Sequence, residues 1–291
     1  MSLAITVAVP DGIIAIADSR TTLREENGNW RISTDNADKI TVCDGLIVAT
    51  AGSAHLNGQT IINHLRPLEQ PGALGGPATF DDKAAAIGRA FADIYATHKA
   101  RNLGGPTRNP GDIVVEFLVS GYDAGLIRVA RVIVHEPQPP EFSSGWLVRN
   151  LFDPGGYGMA WIGTTDVVER LFNGYAASFV GQMPEQIADA LRASGPLIAY
   201  DVMKLQDALN IALFGMEATM LTQRFAASSR AQISIGETAN VGGPIDIVQM
   251  TADGHTWHRR KKIAVVPQFG TTVKPVTLPR TADDAAEGEA S

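Results

Sequence analysis

The sequence predicts an α+β chain with antiparallel strands, and three observations predict it. Residues 3–9 and 13–17 are short, apolar and partly β-branched runs around a Pro10-Asp11-Gly12 turn, the pattern of a hairpin. A second such pair, 113–121 and 126–135, flanks Tyr122-Asp123-Ala124-Gly125. Between and after these pairs, apolar residues recur at helical spacing, as in Ala84, Ile87, Phe91, Ile94 and Tyr95.

The elements follow in order. The opening hairpin ends in Asp18 and Arg20, which a return strand brings back beside Ser2. A polar connection over 21–35 leads to Asn36-Ala-Asp-Lys39-Ile40 and then to the apolar run Gly45 to Ala54. After Gly52 the period changes: Leu56, Ile61, Ile62 and Leu65 suit one face of a helix capped by Ser53 and ended by Pro67. A Gly/Pro-rich loop, 70–79, precedes the helix carrying the Ala84–Tyr95 stripe, and Gly104 to Gly111 is again loop. Residues 136–158, with Pro137, Pro139 and Pro140, read as a long surface connection. Met159 to Thr165 reads as a short buried strand entering a helix. Residues 184–192 and 201–225 look helical, and the second is apolar on most sides, so burial on most sides is expected. A last hairpin, 245–251 with 256–266, turns at Ala252-Asp253-Gly254.

Composition sets bounds. With 291 residues, 45% hydrophobic and 19% charged, the chain suits one well-filled domain over 2–268, followed by a flexible acidic tail over 269–291. A net charge of −7 and a pI near 5.4 argue against a nucleic-acid surface, and Arg259 to Lys262 is too short a basic run to reverse that. The single cysteine, Cys43, allows no intrachain disulfide, which favours a reducing compartment. No apolar run reaches the ~18 residues that span a bilayer. A cytoplasmic protein with no membrane partner is the expectation.

The chemistry concentrates at the start. If Met1 is removed, Ser2 carries a hydroxyl and a free α-amine beside the Asp18 carboxylate. An amine with a pKa of about 7.7–8.0 is a base poised for neutral pH, so the nucleophile would carry its own base and need no histidine. A cationic Lys39 nearby would depress the amine's pKa and keep it neutral, while Asp18 would hold the lysine charged and oriented. The Gly52 N–H, unobstructed by a side chain, could reach a substrate carbonyl oxygen. A purely structural ion pair is the plainer reading of Asp18 and Lys39.

Four stretches, Gly12 to Arg20, Ala37 to Ile40, Val48 to Ala54 and Val241 to Gly254, resemble in this order the proteasome β-subunit family of N-terminal nucleophile hydrolases and its bacterial homologues. The resemblance implies a four-layer αββα sandwich of two antiparallel sheets between helices. It places the nucleophile on Ser2, the aspartate on Asp18, a supporting arginine on Arg20, the lysine on Lys39 and the glycine on Gly52. Ser2 replaces the usual threonine. A serine of the family has its nearest match in Thr164, although Thr164 or Thr165 would serve equally as a helix cap. The family's aspartate and serine before its paired glycines are replaced by Thr238 and Val241. Glu237 is adjacent but would point to the opposite face of an extended segment. Either the support network is rebuilt, or activity is weak or absent.

The resemblance thus implies a peptidase that hydrolyses peptide bonds through Ser2, with no cofactor and no metal. It implies peptide or unfolded protein as substrate, a homo-oligomeric ring and an ATP-dependent unfoldase as partner. Two other classes stay open: a non-catalytic ring-forming structural homologue, and an amidase or acyl-transfer enzyme acting on a small amide. The sequence carries no Gly-x-Ser-x-Gly elbow, no His-Glu-x-x-His and no phosphate-binding glycine motif, and His255 and His258 have the wrong spacing for one face of a strand.

Overall fold

A computed structural model of the chain describes residues 2–24, 30–76, 78–101, 109–137, 144–193, 197–225 and 240–259. The chain divides into two units, 1–261 and 262–291. The second unit and residues 260–261 of the first lie outside the described residues, and with them the proposed domain end at 268, the acidic tail and residues 260–266 of the last predicted strand.

In chain order the strands are β1 (Leu3–Val9), β2 (Gly12–Ala17), β3 (Thr21–Arg24), β4 (Trp30–Thr34), β5 (Ile40–Cys43), β6 (Leu46–Gly52), β7 (His55–Leu56) and β8 (Gln59–Thr60). Helices α1 (Ile61–Leu65) and α2 (Phe80–Ala100) follow, then β9 (Ile113–Asp123), β10 (Leu126–His135), β11 (Trp146–Asn150) and β12 (Gly158–Gly163). Helices α3 (Asp166–Asn173), α4 (Ala177–Val180), α5 (Glu185–Ala193) and α6 (Leu205–Phe225) precede β13 (Asp246–Thr251) and β14 (Gly254–Arg259). This is the expected α+β class. One five-stranded sheet has the order β12-β1-β2-β13-β14 and the other β11-β10-β9-β6-β5. All the pairings are antiparallel.

Alternation along β1 sorts its side chains by size. Leu3, Ile5, Val7 and Val9 share an apolar cluster with Ile14 and Ile16 of β2, Val168 and Phe172 of α3, and Ala208, Ala212 and Met216 of α6. Ala4 and Ala8 point the other way, joining Ala15 and Ala17 of β2 with Ala49 and Ala51 of β6, Leu118 of β9 and Val129 of β10. That cluster draws on both sheets, and its short side chains permit close approach. A third cluster packs α1 and α2 on β6, β9 and β10, with Phe91 and Phe117 in a tilted contact at 4.6 Å between centroids. Such an aromatic pair is worth about 0.5–1.5 kcal/mol beyond its buried area.

Several local expectations are corrected. The connection 21–35 contains the β3–β4 pair. The helix after Gly52 begins only at Ile61, capped by the Thr60 side chain rather than Ser53, because Asn57-Gly58 first turns the short β7–β8 hairpin. The α-helix does end just before Pro67, at Leu65 with Arg66 as its C-cap, and Pro67 lies within a 3-10 extension over Arg66–Glu69, where a proline near the start lacks only a spare N–H. The connection 136–158 contains β11, which adds an edge strand to β10. Helix α6 is buried along one face only: Ala208, Ala212, Gly215, Met216 and Thr219 face inward, while Phe214, Leu221 and Phe225 are exposed.

Candidate active site

The β1–β2 pairing sets Ala4 opposite Ala17, so the chain leaves β2 at Asp18 directly beside the start of β1. The Asp18 N–H donates to Leu3 O at 3.2 Å, and Leu3 N–H donates back to Asp18 Oδ1 at 3.0 Å. Oδ1 also accepts the Lys39 ammonium at 2.8 Å, and the pair is buried, with side-chain exposures of 0% for Asp18 and 7% for Lys39. Oδ2 accepts N–H groups from Arg20 at 3.1 Å and Gly242 at 3.0 Å. The carboxylate is therefore held by one cation and three backbone donors, which fixes its orientation. Lys39 donates further to Arg20 O, and its own carbonyl accepts Thr50 N–H at 2.8 Å.

Ser2 is buried, with 6% exposure, and its carbonyl accepts Thr164 N–H at 2.7 Å. Met1 lies outside the described residues. Gly163 stands across from Leu3 in the β1–β12 register with φ +92°, and an added Cβ there would come 2.0 Å from Ser2 O and 3.1 Å from the Ala51 side chain. Only glycine fits this approach. It brings Ser2, the Gly163-Thr164 turn and the Ala51-Gly52 end of β6 to one place. Gly52 is exposed at φ +100°, with Val114 O 2.9 Å from where its Cβ would be, a backbone that a side chain would strain.

Of the six residues singled out from sequence, Asp18 and Lys39 form one ion pair, and Ser2 and Thr164 meet through the main chain. The Thr164 hydroxyl is buried with no hydrogen-bond partner among the described residues, and α3 has no side-chain cap from Thr165. Arg20 turns away from the pair through its side chain: Nε and Nη2 bind the two oxygens of Asp35 at 2.6 and 3.0 Å. That bidentate bond raises the Arg20 pKa and lowers that of Asp35. Thr238 and Glu237 lie outside the described residues. Val241 is buried in the apolar cluster with Leu3 and Ile16.

Sequence reasoning passed over Glu116, a buried carboxylate opposite Ala51 in the β6–β9 register. Its Oε1 accepts Gly163 N–H at 2.8 Å, and its Oε2 accepts Arg131 Nε at 2.7 Å. The signal was available: Glu116 is the one charged residue in the run Ile113 to Ser120. Among the described residues no group of His, Cys, Asp and Glu has the arrangement of a metal site. No helix among them is long and apolar enough to cross a membrane.

No protein-family model matches the chain, and no curated protein matches it. Among solved structures it is similar to an Anbu (Gly-1) mutant from Hyphomicrobium sp. strain MC1, with 15% identity over 91% of this chain and 88% of that one and a TM-score of 0.52. It also matches Anbu (ancestral beta-subunit) from Yersinia bercovieri, at 16% identity, 88% and 86% coverage and a TM-score of 0.47. The assignment to the proteasome β-subunit family is corrected by these findings: its short motifs bring the chain into no family model, and the Hyphomicrobium structure it resembles is an Anbu protein at 15% identity. At that identity the likeness to the Hyphomicrobium protein is one of fold alone.

Proposed function

We propose that this chain is a hydrolase that cleaves peptide bonds through the N-terminal serine exposed when Met1 is removed, on a helix–sheet–sheet–helix scaffold. The observation that carries the reading is the buried Asp18–Lys39 pair, whose carboxylate oxygen is shared with the N–H of Leu3, the residue next to Ser2. Burying two charges is costly, and apolar residues would fill the same space as well or better. A cation kept there has a use: it favours the neutral form of a neighbouring amine.

In the proposed reaction the Ser2 hydroxyl oxygen attacks the substrate carbonyl carbon, and the Ser2 α-amine takes the hydroxyl proton. Negative charge develops on the carbonyl oxygen, where the Gly52 N–H is the proposed donor. The ammonium then gives its proton to the departing amine nitrogen as the C–N bond breaks, leaving an ester on Ser2. Water, losing a proton to the same amine, attacks the ester carbon; the C–Oγ bond breaks, the ammonium returns its proton to Oγ, and the acyl group leaves as a carboxylic acid. The Thr164 hydroxyl, with unused hydrogen-bonding capacity beside Ser2, is the group suited to pass the proton.

Intact mass of the natively expressed chain, followed by incubation with a β-lactone or a peptide epoxyketone, tests this. The expected result is loss of Met1 and one covalent adduct that is absent in Ser2→Ala and retained in part by Ser2→Thr. Fully retained methionine, which leaves the Ser2 nitrogen in an amide, sinks the mechanism, as does equal labelling of Ser2→Ala.

A further inference from the structure

Glu116 sits in a strand whose neighbours are apolar, with its side chain 7% exposed and that of Arg131 31% exposed. Its two oxygens are divided between two tasks. Oε2 is held by Arg131 of β10, within the same sheet, through Nε at 2.7 Å and through Nη2. Oε1 accepts the Gly163 N–H at 2.8 Å, so this bond crosses to the last residue of β12 in the other sheet. Gly163 directly precedes Thr164, whose N–H holds the Ser2 carbonyl at 2.7 Å. A carboxylate is a stronger acceptor than a neutral group and, anchored by a guanidinium, has little freedom to turn.

On the reading that Ser2 is the nucleophile, we propose that Glu116 is a positioning residue: it holds the Gly163-Thr164 turn against Ser2, and Arg131 fixes it for that task. Packing alone does not explain a buried carboxylate here, because an apolar side chain of similar volume is commonly as stable or more so in such a place. Orientation does. The turn carries the Thr164 hydroxyl and the N–H that fixes Ser2, and a displacement of about 1 Å in such a constellation costs on the order of a hundredfold in rate.

The test uses the full chain with Met1 removed and compares Glu116→Gln with the double variant Glu116→Leu/Arg131→Leu. The double variant leaves no unpaired buried charge and is expected to fold, yet it has no acceptor for Gly163. Glutamine keeps a carbonyl oxygen there. Amide hydrogen exchange at Gly163 and Thr164 is read by NMR, and adduct formation at Ser2 by mass. In the double variant, protection at both amides and the labelling rate should each fall by at least about tenfold, whereas Glu116→Gln should stay within about fivefold of wild type on both. Wild-type protection and labelling in the double variant, or a Glu116→Gln as impaired as the double variant, overturns the proposal. If the double variant does not fold, loss of Gly163 protection in Glu116→Gln overturns it. Wild type that never forms an adduct refutes the hydrolase reading instead, and the exchange data still decide what Glu116 holds.

Discussion

Replacing Lys39 by methionine removes the cation of the buried pair while keeping an unbranched side chain of similar length. Deleting one partner of a buried ion pair costs about 3–5 kcal/mol, because the other charge is left uncompensated. Asp18 would still accept N–H groups from Leu3, Arg20 and Gly242 at 3.0–3.1 Å. These three donors place the loss near the low end, about 3 kcal/mol. For a chain of this size that corresponds to a fall in melting temperature of roughly 6–12 °C. Thermal unfolding followed by circular dichroism measures it. Adding Asp18→Asn removes the stranded charge and should recover about half of the loss. On the proposed mechanism, labelling of Ser2 should nevertheless be absent in both variants, because the cation proposed to keep the Ser2 amine neutral is gone. A Lys39→Met protein that melts with wild type, or that forms the Ser2 adduct at the wild-type rate, refutes the reasoning.

Two other outcomes follow from the geometry. The hydrogen bonds from Arg20 hold the Asp35 carboxyl below its ordinary range, so the stability it contributes is present above about pH 3.9 and is lost as pH falls through the lower folded value. Asp35→Asn should therefore be less stable than wild type at pH 7, with a gap that narrows in acid; a gap that is constant from pH 7 to 3 contradicts this. Gly163→Ala would set a methyl 2.0 Å from Ser2 O at φ +92°, so either β12 or the start of β1 must shift. It should abolish Ser2 labelling and lower the melting temperature by several degrees, whereas Gly125→Ala, with nothing within 4 Å of its added methyl, should leave labelling at the wild-type rate.

The elements that the sequence reveals best are those whose pattern matches a local rule. The β1–β2 and β9–β10 pairs carry their own turns and were legible to within a residue or two. Strand β11 was hidden because only five residues long, in a stretch dominated by prolines and glycines, it depends on pairing with β10 for its existence. Thr79 and Asp82 form a capping box at the head of α2 that the Gly/Pro-rich composition of 70–79 obscured. Asp18 and Lys39 were legible as a pair because each ends or begins a strand at a predictable place. Glu116 was not, since its partners, Gly163 and Arg131, come from distant parts of the chain and only register brings them together. The exposure of Phe214, Leu221 and Phe225 was missed for a related reason: periodicity shows that a helix has apolar faces, not how many are covered.

Val241 raised the question of whether a support network near the proposed nucleophile had been lost. Its side chain is buried in the apolar cluster that also holds Leu3, Ile16 and Ile245, with residues of α3 and α6. The same segment reaches Asp18 through its main chain, by the Gly242 N–H to Oδ2, while Gly242 O accepts the Ser19 N–H at 2.9 Å. Val241 N–H is in turn held by Gln223 Oε1 of α6 at 2.9 Å. A contribution made by backbone donors is indifferent to the side chain next door, so an apolar residue at 241 is compatible with an ordered Asp18. The carboxylate's orientation then depends on Lys39 and on three main-chain N–H groups, none of which a substitution at 241 removes.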